Sequence, residues 1–194
     1  VSYFRLSQDD RFPNAVQPQG VTAVIRPDML DAGLAEQRSA EQAAGQAAGQ
    51  SAGQRNSLEE LSLQFAVAEA AQVDYVDFIE YPVPFVSNRV KRTIEIFAPM
   101  VRFVPGVFTD LPRRHQEVYW LVAAPQVDCL SDESEWHPDG RLRRLVLDAG
   151  RAGGQPFFQV NGPRERIWLI NLALAEGLLR RDFNGIRLTR VEQS

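Results

Sequence analysis

Two histidines, one cysteine and a run of carboxylates are the groups through which this sequence could do chemistry. His115-Gln116-Glu117 has the His-x-Glu form of the zinc deaminases, whose metal also needs a Pro-Cys-x-x-Cys ligand pair. The chain has a single cysteine, Cys129, so that ligand set cannot be assembled, and the His-Glu-x-x-His zinc pattern is absent as well. His137 sits in Trp136-His137-Pro138-Asp139-Gly140, which predicts a turn before anything else. Either histidine leaves open a role as a general base. Gly150-Arg151-Ala152-Gly153-Gly154 has neither the spacing of a dinucleotide fingerprint nor the lysine-serine of a P-loop, and reads as a loop. Cys129 lies between Asp128 and Leu130, where a neighbouring negative charge raises the thiol pKa and weakens it as a nucleophile. A small core residue is the reading it supports. No Gly-x-Ser-x-Gly elbow is present.

The densest charge is Asp128, Asp132, Glu133, Glu135 and Asp139, with Trp136 among them. Paired carboxylates can hold Mg²⁺ or Ca²⁺, but the central glycine and final glutamate of an EF-hand are missing. Two readings are left besides a metal. One is a solvated loop or a helix N-terminus favoured by the dipole. The other is a protein-binding surface in which an aromatic anchor carries the energy and the acids select a basic partner. Asp132, Glu133, Glu135 and Trp136 are the partner-binding candidates on the second reading. A core position for Trp136 is its competitor. No catalytic residue, metal ligand or cofactor site is expected from these patterns.

These groups need elements to position them. Tyr3–Leu6 and Val21–Ile25 are predicted strands separated by a loop rich in Pro, Asn and Gly. Residues 39–54 repeat a four-residue Ala-Gly-Gln unit, and no large apolar residue lies between Leu34 and Leu58. Each glycine there costs a helix about 1 kcal/mol and nothing can bury a face, so residues 31–57 are expected to be a mobile, low-complexity insertion. Leu61, Leu63, Phe65 and Val67 alternate with smaller or polar residues and predict a half-buried strand, with a helical reading left open by the flanking Ala and Glu. Ser87 can cap a helix carrying Val90, Ile94 and Phe97 on one face, stopped by Pro99. Val101–Val104 is predicted as a strand leading into Pro105-Gly106, and Val118–Ala123 as a central strand. Leu142–Leu147, Phe157–Val160 and Ile167–Ile170 follow as strands. A last helix over 172–182, with Ala175, Leu178 and Leu179 on one face, precedes a closing strand through Ile186, Leu188 and Val191. Residues 86–104 and 172–191 run in the same order, helix, breaker, strand, and both helices are arginine-rich, which raises the possibility of an internal duplication.

The 194 residues suit one domain. With 44% hydrophobic and 24% charged residues the composition is that of a globular protein. The formal net charge of −4 argues against a general nucleic-acid-binding surface. No run approaches 18 apolar residues, so no membrane span is expected. Val1–Leu6 lacks the basic and apolar regions of a secretory signal, and a lone cysteine fits a reducing compartment, so the chain is expected in the cytoplasm. The fold class that follows is α+β: a single domain over 1–194 with a mixed or antiparallel sheet, two main helices and the insertion at 31–57. The oligomeric state does not follow.

One set of residues carries a family resemblance: Val86-Ser87-Asn88-Arg89 opening a helix, the strand Glu117-Val118-Tyr119-Trp120, then Val127-Asp128-Cys129-Leu130-Ser131, and the closing Leu179-Arg180-Arg181 with Gly185-Ile186. In order and spacing these resemble the bacterial immunity proteins of polymorphic toxin systems, a group named after a myxobacterial immunity protein and first described as a domain of unknown function. The likeness covers roughly residues 61–191, with Tyr3–Leu6 also fitting, and the Ala-Gly-Gln segment departs from it. It implies a non-enzymatic cytoplasmic protein that binds and neutralises a cognate toxin, and it brings no catalytic residues to this chain. An enzyme or a small-ligand-binding domain whose site the sequence hides is the alternative.

Overall fold

The computed structural model of the chain describes residues 1–25 and 63–194. The insertion expected at 31–57 lies outside the described residues.

A long hairpin organises the first half. β5 (Arg102–Asp110) and β6 (His115–Ala123) pair in register from Arg102 opposite Ala123 to Asp110 opposite His115. β4 (Phe85–Ser87) adds antiparallel to the other side of β6, β3 (Phe78–Ile79) adds to β4, and β2 (Leu63–Ala66) runs parallel to β5. The order is β2-β5-β6-β4-β3, with β6 central as its apolar run predicts. β5 does not stop at Pro105-Gly106 but continues through them to Asp110. Within the hairpin Pro105 stands opposite Trp120 and Gly106 opposite Tyr119.

The second sheet has the order β13-β1-β12-β11-β7. Its members are β1 (Tyr3–Gln8), β7 (Gln126–Val127), β11 (Phe157–Val160), β12 (Trp168–Asn171) and β13 (Ile186–Arg190). All its pairings are antiparallel except β11 with β7. Two short ribbons complete the strands: β8 (Glu135–Trp136) with β9 (Leu142–Arg144), and β10 (Val146–Leu147) parallel to β14 (Glu192–Gln193). The class is α+β with two main helices, and the strands fall into two mixed five-stranded sheets where one sheet is expected.

Both sheets are crossed in the same way. β4 leads into α2 (Asn88–Phe97), which passes over β6 to reach β5; β12 leads into α3 (Leu172–Leu179), which passes over β1 to reach β13. Each helix starts at the last residue of its strand with a side-chain cap. Ser87 Oγ accepts from Val90 N at 3.3 Å, and Asn171 Oδ1 accepts from Leu174 N at 3.0 Å. Such caps satisfy an N–H that the first turn leaves open. The equivalent four-strand paths are β3-β4-β6-β5 and β11-β12-β1-β13, the N-terminal strand supplying in the second sheet what β6 supplies in the first.

The helix pair joins the two sheets through one apolar cluster. Val90 and Ile94 of α2 and Leu174, Ala175 and Leu178 of α3 pack with Phe78, Val86 and Val122 from one sheet and Leu6, Trp168 and Ile170 from the other. The helices meet at Gly177, where an added Cβ would stand 2.5 Å from the Phe97 ring. The far face of the first sheet carries Phe65, Phe85, Phe108 and Tyr119 in edge-on and tilted contacts, covered by Ala15, Val16, Val21 and Ile25. The far face of the second packs Tyr3, Phe158 and Leu169 on Cys129, Leu147 and Ala152. With both faces buried, strands such as Trp168–Ile170 are apolar at every position rather than at alternate ones.

Two expectations fail locally. Val21–Ile25 is not a strand but a helical turn, α1 (Val21–Val24), entered from Gly20 in the left-handed region. Val21 and Ile25, four apart, are the buried pair, so the face that packs has helical spacing despite β-branched residues. Leu179 is 70% exposed, whereas Ala175 and Leu178 are buried as expected. The buried stripe of α3 is filled by Leu174, Ala175, Gly177 and Leu178, which leaves Leu179 outside it. No helix among the described residues is long and apolar enough to cross a membrane.

Candidate functional site

The acidic stretch leaves the second sheet at its β7 edge. Asp128 follows the strand, and Cys129 turns inward to full burial. Burial first, then the charges of Asp128 and Asp148, push its thiol pKa up to about 12, which removes it from thiolate chemistry. Leu130 bridges to Leu147, and Ser131 N donates to Val146 O at 2.9 Å. Ser134 clamps the same residue twice, its Oγ donating to Val146 O at 2.9 Å and accepting from Val146 N at 3.2 Å. The turn Ser131–Ser134 is thereby fixed against β10, which sets the direction in which β8 carries Trp136.

Trp136 is 45% exposed, so the core position is excluded for it. Its ring borders an open cavity of about 520 Å³ together with Asp128, Ser131, Asp132, Ser134, Asn161 and Gly162. Of the four partner-binding candidates, Asp132 and Trp136 meet at this cavity and Glu133 and Glu135 are not in its lining. Glu135 faces Arg143 at 3.7 Å and Arg144 at 3.9 Å across the β8–β9 ribbon. Glu133 is exposed beside the turn. Asn161 and Gly162 follow the strand Phe157–Val160, and nothing in their spacing announces that they line a cavity with Trp136.

The lining of the cavity combines the acidic residues Asp128 and Asp132 with polar Ser131, Ser134 and Asn161, apolar Leu130 and the indole of Trp136. That combination suits a cationic side chain, held by charge-assisted hydrogen bonds to Asp128 or Asp132 and by the π face of Trp136. Among the described residues no group of three or more His, Cys, Asp and Glu is arranged to hold a metal ion.

The histidines are engaged elsewhere. His115 Nε2 lies 3.2 Å from Glu117 Oε2, and its ring stands edge-on to Tyr75 with centroids 4.6 Å apart. Tyr75 OH donates to Asp110 Oδ2 at 2.7 Å; burial and this bond push its pKa up to about 12. Asp110 also accepts from Arg113 N and Nη1, so the group braces the turn of the β5–β6 hairpin. His137 begins the expected turn, with His137 N donating to Arg141 O and Gly140 in the left-handed region. Residues 150–154 form a turn around Asp148, whose Oδ1 accepts from Gly150 N and Arg151 N.

Compared with known proteins, the chain matches no family model, and no curated protein matches it.

Proposed function

We propose that this chain is a partner-binding protein, and that its partner is a protein presenting basic side chains. More particularly, we propose an immunity protein that binds and neutralises a cognate toxin in the cytoplasm, without catalysis of its own. The observation that carries the reading is the half-exposed Trp136 lining one cavity with Asp128 and Asp132. An aromatic ring of this kind is costly to leave in water and supplies the desolvated anchor typical of interface hot spots. Carboxylates around it steer a basic cleft into place and reject acidic partners. Toxins that act on nucleic acids or membranes carry such basic clefts, which an acidic surface of this kind would plug by charge complementarity.

Co-expression tests the reading. The toxin candidate encoded beside this chain is induced with and without it, and survival is scored. Survival only when the chain is present supports the proposal. Equal killing in both cultures, with the chain folded and expressed, contradicts it.

A further inference from the structure

A second charged concavity, sharing no residue with the acidic one, lies where α2 meets the segment after α3. Arg89, Arg92, Thr93, Ile96, Arg181 and Phe183 line it, around about 330 Å³. The two arginine-rich stretches thus converge in space although 92 residues separate Arg89 from Arg181. Arg89 is fixed: its guanidinium lies over the Phe183 ring at 4.9 Å, donates to Arg181 O at 3.1 Å and stands 3.8 Å from Asp77. Arg181 donates to Gly177 O at 2.7 Å through Nη1. Arg92 is exposed and makes no ion pair among the described residues. Ile96, one turn further along α2, is 68% exposed and forms an apolar wall.

We propose that this groove docks an acidic segment of a partner protein, with a carboxylate on Arg92 and Arg181 and an apolar side chain on Ile96 and Phe183. The inference does not depend on the toxin reading. Arginine forks match carboxylates in a bidentate fashion, and two of the three here are held in place before any ligand arrives. Three arginines in so small a space suit one or two carboxylates. A nucleic acid would need a longer basic track, and the chain's net charge of −4 opposes one. The apolar wall selects a polypeptide over a bare anion.

Titration followed by NMR tests the groove in the full chain. The probe is a nine-residue peptide of repeated Leu-Glu-Glu; the controls are the Leu-Gln-Gln peptide and a nine-nucleotide oligothymidylate. Saturable shifts of the Arg92 and Arg181 side-chain N–H signals and the Ile96 methyl groups are expected with the acidic peptide. Binding should weaken about tenfold in Arg92→Glu, an exposed change whose melting temperature is checked alongside. Arg92→Lys should fall between the two. Three results each overturn the proposal: no saturable shift at these residues, equal binding of the Gln peptide, or tighter binding of the oligonucleotide, which would make the groove a polyanion site. Unchanged affinity in a folded Arg92→Glu overturns it as well.

Discussion

Asp77 and Asn184 hold each other across 107 residues of chain: Asp77 N donates to Asn184 O at 3.0 Å and to Oδ1 at 2.9 Å, while Asn184 N donates to Asp77 Oδ2 at 2.9 Å. The other carboxylate oxygen of Asp77 accepts from Ser87 Oγ at 2.5 Å, and Ser87 Oγ caps α2. One buried carboxylate therefore ties the segment after α3 to the start of α2. Gly185, next in the chain, has φ 71°, and an added Cβ would lie 2.5 Å from Val76 Cβ, so the tie also depends on glycine at that position.

Asp77→Ala removes the acceptor of Ser87 Oγ and Asn184 N at a part-buried junction. Such a loss costs about 1–3 kcal/mol. Urea unfolding should show a lower midpoint with an unchanged slope. A midpoint equal to that of the wild type would mean the network contributes little.

Much of this frame was legible in the residues, and the places where it was not have physical causes. Ser87 and Pro99 bracket α2 because capping and proline act locally, within a turn of where they stand. Ile167–Ile170 reads as a strand because burial on both faces writes a continuous apolar run, and Phe157–Val160 reads likewise, with Gln159 its one polar, half-buried position. Val21–Ile25 misled because β-branching is a weak preference that the packing of Val21 and Ile25 overrode. Half of the candidate site was visible for the same reason. Asp132 and Trp136 are close in the chain, so their association needed no long-range knowledge. Asn161 and Gly162 reach Trp136 only through the pairing of β11 with β7, and pairing between distant strands leaves no local mark.

Gly177→Ala sets two effects against each other. Alanine favours a helix interior over glycine by about 1 kcal/mol, but here its Cβ would press on Phe97 at 2.5 Å. Overpacking of a close contact costs about 1–3 kcal/mol, so net destabilisation is expected. Adding Phe97→Leu should recover part of it. A more stable single variant on thermal unfolding would show that the helices can part without cost.

Acid should act in part through Asp9. Its carboxyl is held at about 2, first by the Arg11 side chain, which donates from Nε and from Nη2 at 2.6 Å, and then by Arg11 N. An unfolded aspartate titrates near ~4, so the unfolded chain takes up the proton first. The contribution is complete above that pH and is lost as pH falls towards 2. Asp9→Asn should therefore lose less stability than the wild type between pH 5 and pH 3, read from urea midpoints. Parallel losses would remove Asp9 from the acid response.

Cys129 is buried with its thiol pKa pushed up to about 12. A disulfide reagent at pH 8 should leave it untouched in the native protein and modify it fully in denaturant. Fast native labelling would show that the loop around Ala152 opens readily.

Trp136→Ala addresses partner binding most directly. With the ring 45% exposed, its removal should lower stability by no more than about 1.5 kcal/mol, leaving a cooperative melt. Affinity for the purified toxin, measured by calorimetric titration on the same preparation, should fall by about 30-fold or more, the loss of a hot spot worth about 2 kcal/mol. A folded variant that binds the toxin as tightly as the wild type would contradict the account.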